Sequence, residues 1–141
     1  MNLEVSGYRI VRDPAAMDVD VIHAYLQRSY WGAGRSREIV EKSLRHSDCY
    51  GVFEGAVQVG FARVVSDHAT FAYLSDVFIL ESHQGKGLSK WLMQEVVGSP
   101  EYATLRRWTL RTRDAHGLYE QFGFVTTPMP EMEMEFRPGG H

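Results

Sequence analysis

Residues 73–97, Tyr-Leu-Ser-Asp-Val-Phe-Ile-Leu-Glu-Ser-His-Gln-Gly-Lys-Gly-Leu-Ser-Lys-Trp-Leu-Met-Gln-Glu-Val-Val, constrain the fold more than any other stretch. Tyr73 to Leu80 is rich in aromatic and β-branched residues, which predicts a strand covered on both faces. Ser82 to Gly87 is a turn carrying two glycines, and Leu88, Trp91, Leu92, Glu95 and Val96 then recur at helical spacing with an apolar stripe. The first turn of such a helix has backbone N–H groups without internal partners, and the helix dipole adds partial positive charge. That end attracts phosphate. Gly85 and Gly87 permit close approach, Lys86 and Lys90 add charge, and Ser89 adds a hydroxyl.

Two familiar phosphate loops are excluded by residue type. No Gly-x-x-x-x-Gly-Lys-Ser/Thr run exists, and a dinucleotide fingerprint would need glycine at position 90, which is Lys90. Without a ligand motif the stretch would be an ordinary strand-to-helix turn. Gln84-Gly85-Lys86-Gly87-Leu88-Ser89 does fit Gln/Arg-x-x-Gly-x-Gly/Ala, and so resembles the pyrophosphate loop of the GNAT superfamily of acyl-CoA N-acyltransferases. Ser89 stands where that family usually has glycine or alanine, a change small enough to admit phosphates.

A chain of 141 residues suits one domain, here 1–138 with a frayed tail at 139–141. The 44% hydrophobic and 23% charged fractions are those of a soluble globular protein, and the net charge of -3 gives no general affinity for nucleic acid or an acidic membrane. No apolar run approaches the ~20 residues that span a bilayer, and no basic segment followed by a signal core opens the chain, so a cytoplasmic protein is expected. Cys49 is the single cysteine and reads as core rather than nucleophile. The six histidines show no His-x-x-x-His spacing, so no metal is expected.

Along the chain, Tyr8 to Val11 reads as a strand ended by Asp13-Pro14, and Val19, Ile22, Leu26 and Ser29/Tyr30 mark a helix from about 15 to 29. Tyr30 to Arg37 combines aromatics, glycines and arginines: either a helix connector or, through Tyr30, Trp31 and Arg35, acceptor-substrate contacts. Ser36 caps a second helix to about 46. Cys49–Glu54 and Val57–Ser66 form a hairpin, Asp67 to Thr70 turns into the central strand, and Arg107 to Arg111 is a further strand. Ala115, Leu118, Tyr119 and Phe122 give a short helix capped by Asp114 and ended by Gly123. Phe124–Thr127 and Met132–Phe136 are expected to close the chain as strands, the latter alternating methionine and phenylalanine with glutamate.

This order resembles the GNAT fold, an α/β (α+β) architecture in which a mixed, mostly antiparallel sheet of six to seven strands is flanked by about four helices. Residues 114–124, Asp-Ala-His-Gly-Leu-Tyr-Glu-Gln-Phe-Gly-Phe, resemble that family's second motif, Ala-x-x-Leu-Tyr-x-x-x-Gly-Phe after an asparagine. The resemblance implies acetyl-CoA as cosubstrate, an amine substrate of small-molecule or peptide type, and room for a homodimer. It implies cofactor contacts at Phe78, Ile79 and Leu80, with strand N–H groups at Phe78 and Leu80 or their neighbours, and at Gln84, Gly85, Lys86, Gly87, Leu88, Ser89 and Lys90. It makes Tyr119 the general acid, since a phenol of pKa about 10 can protonate a thiolate whose thiol titrates near about 8.5. Spacing alone makes Tyr119 a buried helix residue. Asp114 stands in place of the family asparagine and is the safer reading as a cap, because an ionised carboxylate donates no hydrogen bond.

The base is open. The resemblance implies that in some relatives an acidic residue lies one position before Asp76, where this chain has Ser75. Asp76 points to the other face unless a bulge turns it; it serves as base, or a water chain does, or Asp76 pairs with an arginine such as Arg63 or Arg107. His68 and Glu81 are substitutes. The competing reading of the whole chain is a non-catalytic module of the same fold that binds acyl-CoA or a protein partner.

Overall fold

The computed structural model describes residues 2–139. In chain order these form β1 (Arg9–Val11), α1 (Val19–Gln27), α2 (Arg37–Arg45), β2 (Asp48–Glu54), β3 (Val57–Ser66), β4 (Phe71–Ile79), α3 (Leu88–Val97), β5 (Arg107–Leu110) and α4 (His116–Glu120), with single 3-10 turns between. The strands make one sheet in the order β1-β2-β3-β4-β5. Pairing is antiparallel from β1 to β4 and parallel between β4 and β5. A parallel pair needs a crossover, and α3 provides it.

The sheet is covered on both faces, as the run of apolar residues in β4 requires. Ile22 and Leu26 of α1 and Val40 and Leu44 of α2 pack with Cys49, Phe53, Phe61 and Phe78 on one face. On the other, Leu88, Trp91, Leu92, Met93 and Val96 of α3, with Tyr119 of α4, pack on Tyr50, Val52, Val64, Ala72 and Leu74. Truncating a fully buried side chain such as Leu92 to alanine costs about 2–5 kcal/mol by lost burial and the cavity left behind. Helix starts follow local chemistry: Asp18 accepts from the Val21 N–H, and Ser36 accepts from that of Ile39, as its sequence predicts.

Three expectations are corrected. The sheet has five strands among the described residues, not six to seven: Phe124–Thr127 and Met132–Phe136 pair with nothing, and Pro130–Met132 is a 3-10 turn. Their alternation defines two faces, but Val125, Met132, Met134 and Phe136 stay largely exposed, so no buried face holds them against the sheet. Asp114 is not the α4 cap: Ala115 holds that position with no side-chain cap bond, and the Thr112 hydroxyl accepts from the N–H groups of Asp114 and Ala115 just ahead of the helix. The first helix is shorter than predicted, with Pro14–Ala16 a separate 3-10 turn. Of the tail expected at 139–141, residues 140 and 141 lie outside the described residues.

One irregularity positions the site. In β4, Asp76 and Val77 together face the single Ala62 of β3, and Asp76 has φ of 55°. This bulge changes the phase of the strand. Ala72 and Leu74 point to the α3 face, whereas Phe78, which would share their face in a regular strand, points to the α1 and α2 face. Ser75 and Asp76 consequently lie on the same side and their side chains meet at 3.3 Å. Beyond Leu74, paired with Leu110, β5 no longer accompanies β4 and a gap opens between them.

Candidate active site

The gap beside β4 is a cavity of about 830 Å³ lined by Ser75 to Ile79, by Tyr25, Tyr30, Trp31 and Arg35 from the α1 side, and by Leu118 and Tyr119 from α4. A second cavity of about 330 Å³ lies over the turn before α3 and is lined by Gly85, Gly87, Leu88, Ser89 and Lys90. Ile79, Gln84, Ser89 and Leu118 line both, so the two form one groove.

The turn end of this groove is built to remain open. Gly85 and Gly87 have φ of 81° and 85°, conformations that side-chain-bearing residues rarely adopt. A Cβ on either would meet nothing within 4 Å and would project into the space above the turn. Gly87 is the N-cap of α3 and offers no side-chain cap. The first internal bond of the helix runs from the Trp91 N–H to the Gly87 carbonyl. The backbone N–H groups from Gly85 to Lys90 therefore have no hydrogen-bond partner among the described residues. Gln84 anchors the turn by donating from Nε2 to the Ile79 carbonyl at 2.9 Å. Lys86 lines neither cavity and Leu88 is buried, so their contribution is backbone or distant charge.

Of the strand N–H groups expected at Phe78 and Leu80 or their neighbours, those of Phe78 and Leu80 are turned away from the groove. Leu80 donates its N–H to Val59 at 2.8 Å and lines neither cavity. Since N–H groups alternate along a strand, that of Phe78 also points to β3, and that of Ile79 points to the open edge.

Asp76 lies in the wall of the larger cavity, beside Trp31 and Arg35, and is 4% exposed. Arg63 Nε and Arg35 Nη1 each donate to its Oδ2 at 2.8 Å, and Trp31 Nε1 donates to Oδ1 at 3.0 Å. Burial by itself would raise the pKa of this carboxyl, but the two guanidiniums outweigh it and hold the group below the usual carboxylate range. Arg107, the other arginine considered for this pair, lies over the Phe71 ring instead. The loop carrying Trp31 and Arg35 is itself fixed: Gly32 donates to the Ser29 hydroxyl at 3.0 Å, and the Arg113 N–H donates to the Tyr30 hydroxyl at 2.8 Å.

Tyr119 is 9% exposed and its ring meets Phe124 edge-on. Its hydroxyl makes no hydrogen bond among the described residues. Burial, with lesser effects of Tyr30 and Asp114, pushes its pKa up to about 12. The other groups considered as bases do not line the cavity: Glu81 is paired with Arg28, and His68 sits on Asp48 in the β3–β4 turn. Cys49 is fully buried, with its thiol pushed up to about 11 by burial, and is inert as a nucleophile. Among the described residues no group of three or more His, Cys, Asp or Glu side chains is placed to hold a metal.

Tyr25 and Arg113 are among the lining residues that escaped sequence reasoning. Tyr25 stacks on Phe78 with centroids 4.1 Å apart; it sits off the Val19, Ile22 and Leu26 stripe by which the helix was recognised, and no motif marks it. Arg113 lies with its guanidinium 4.0 Å from the Tyr30 ring centre. The signal for it was the Arg111-Thr112-Arg113 run just before the second motif.

The pattern of the family described as Acetyltransferase (GNAT) domain matches residues 45–126. A Gibberella zeae protein named "Putative acetyltransferase" is 32% identical over 133 residues, covering 79% of this chain and 75% of that protein. A solved Xanthomonas campestris structure, described as a putative acetyltransferase belonging to the GNAT family, is 41% identical with a TM-score of 0.91, covering 96% of this chain and 97% of that one. A Clostridium acetobutylicum structure described as a predicted acetyltransferase with acetyl-CoA shares the fold alone, at 13% identity and a TM-score of 0.67, over 95% of this chain and 97% of that one.

Proposed function

Because the chain belongs to the GNAT acetyltransferase family, we propose that it transfers an acetyl group from acetyl-CoA to an amine of a small molecule or peptide, with Tyr119 protonating the departing thiolate. The observation that carries this reading is the row of unpartnered N–H groups from Gly85 to Lys90, opening on a groove that continues to Tyr119.

The residues present fit a coenzyme A diphosphate: oriented N–H groups at a helix N-terminus, a space that side chains would fill, and Lys90 at its rim. Bound acetyl-CoA supplies an activated thioester. In this reading the amine forms its new N–C bond as the C–S bond breaks, and the charge gathering on the carbonyl oxygen is met by the Ile79 N–H at the open edge. The sulfur takes the Tyr119 proton, which solvent restores, and the amine proton leaves to water in the cavity. Phe78 and Tyr25 exclude water from one wall, and Gln84, Gly85, Gly87, Ser89 and Lys90 hold the cofactor arm and phosphates. Leu80 and Leu88 act at most through the backbone, and Lys86 through the backbone or as a distant charge. Tyr30, Trp31 and Arg35 hold the acceptor.

Asp76 is an anchor in this scheme rather than the base. A carboxylate already accepting from two guanidiniums and an indole has little affinity for a further proton. Its work is to fix Arg35 and Trp31 at the cavity wall.

The test is thiol release from acetyl-CoA over an amine panel, comparing wild type with Tyr119→Phe. The turnover rate should fall by about 10²- to 10⁴-fold, the usual contribution of a positioned acid, with coenzyme A affinity retained. Coenzyme A binding without thiol release from any amine would favour a binding module over an enzyme.

A further inference from the structure

The acceptor side of the cavity carries more positive charge than its acids neutralise. Its cationic lining is Arg35, Arg111, Arg113 and Arg137, and its acidic lining is Asp76 and Asp114. Asp76 is already shared by Arg35 and Arg63, and Arg111 and Arg137 both pair with Glu135. Arg113 has no carboxylate partner among the described residues. Arg35 gives only Nη1 to Asp76, and its remaining N–H groups make no hydrogen bond there. The one acid left is Asp114, exposed at the cavity mouth.

The geometry of Arg113 matters as much as its charge. A guanidinium packed on an aromatic ring turns its N–H edges sideways, and those edges match the two oxygens of a carboxylate. Tyr30, which carries it, is fixed by the Arg113 N–H, and Trp31, edge-on to Tyr30 at 5.2 Å, is fixed by Asp76. Cation and aromatic wall are thus preorganised side by side.

We propose that the acceptor is an amine that also carries a carboxylate, the carboxylate held by Arg113 and the free edge of Arg35 and the apolar body lying against Tyr30 and Trp31. This rests on the transferase reading above and adds the chemical class of its substrate. A second cation on the acceptor would be repelled by the same arginines. Their field also disfavours the ammonium form of the reacting nitrogen, which promotes loss of its proton.

The experiment uses matched pairs of amino acids and their amides (phenylalanine, tyrosine, tryptophan and leucine), with spermidine as the cationic control, and reads thiol release from acetyl-CoA. For the best pair the free acid should exceed its amide in kcat/KM by about 10- to 100-fold, the range for a charge-assisted hydrogen-bonded pair. In Arg113→Gln that ratio should fall toward one, chiefly through KM, and Arg113→Lys should restore part of it. Arg113 is exposed and unpaired, so these variants should fold. Amides or spermidine preferred over the acids, or a ratio indifferent to Arg113→Gln, overturns the proposal. If no amine releases thiol, the transferase reading fails by itself, and calorimetry with coenzyme A and the N-acetylated acids against their amides decides the subsite. Tighter binding of the acids that is lost in Arg113→Gln upholds it, and equal binding overturns it.

Discussion

The carboxylate inside β4 and the turn that follows β4 are built on opposite rules. Around Asp76 every partner is already supplied by the protein: two guanidiniums, an indole N–H and the Ser75 hydroxyl all meet one buried carboxylate. From Gly85 to Lys90 a run of donors has no partner at all among the described residues. Burial explains how both persist. A buried charge left unpaired would be destabilising by several kcal/mol, so the Asp76 cluster must close on itself. The turn borders an open cavity, where solvent can satisfy its N–H groups. The saturated cluster holds the wall in place, and the unsaturated one is where the proposed function places the cofactor's phosphates.

Three measurements press on that contrast. The largest effect is expected for Asp76→Asn, which leaves Arg35 and Arg63 without their counter-charge; denaturant unfolding should show a loss of about 3–5 kcal/mol, and coenzyme A affinity should change far less. The sign of its pH dependence is set by the lowered carboxyl pKa. That stabilisation is present above the unfolded value of about 3.9 and lost as pH falls through the folded one, so the variant should soften less on acidification than wild type. If Asp76→Asn instead unfolds like wild type, the cluster is not an anchor.

Gly87→Val should give the mirror image. A β-branched residue at a φ of 85° is strained by about 1–2 kcal/mol, and its side chain would occupy the space over the N–H groups. Calorimetry should find coenzyme A bound about 10- to 100-fold more weakly, the equivalent of one lost charge-assisted contact, with only that small strain seen in unfolding. Unaltered affinity would remove the turn from the site.

The smallest effect concerns Tyr119. With its pKa pushed up to about 12, the hydroxyl stays protonated throughout the neutral and mildly alkaline range. The profile of kcat/KM against pH should therefore rise as the amine loses its proton and show no descending limb below about pH 10, the unperturbed tyrosine value. A fall between pH 8 and 9 would assign the acid to another group.

Much of this arrangement was legible in the residues. The strand, glycine turn and helix over 73–97, the β2–β3 hairpin and the Ser36 cap all formed where local propensity and polar chemistry agree with burial. The closing strands did not, because alternation at Met132, Met134 and Phe136 specifies faces and says nothing about which edge will accept them. Arg63 was visible as a partner of Asp76, whereas Arg35 and Trp31 reach it from more than forty positions away in the chain, a distance no local pattern spans. The cap expected of Asp114 did not form: the cap position falls one residue later, at Ala115, with no side-chain cap bond, and the Thr112 hydroxyl accepts from the N–H groups of Asp114 and Ala115 ahead of the helix.

The fork in the sheet has a consequence for how the molecule can be watched. Where β4 and β5 part company after Leu74 and Leu110, the Ile79 N–H faces the gap while its neighbours remain zipped to β3. In deuterated water that position should exchange as quickly as a loop while Phe78 and Leu80 on either side are slow, and occupation of the gap should silence it. A strand that is half sealed and half bare thus contains both the probe and its own internal reference.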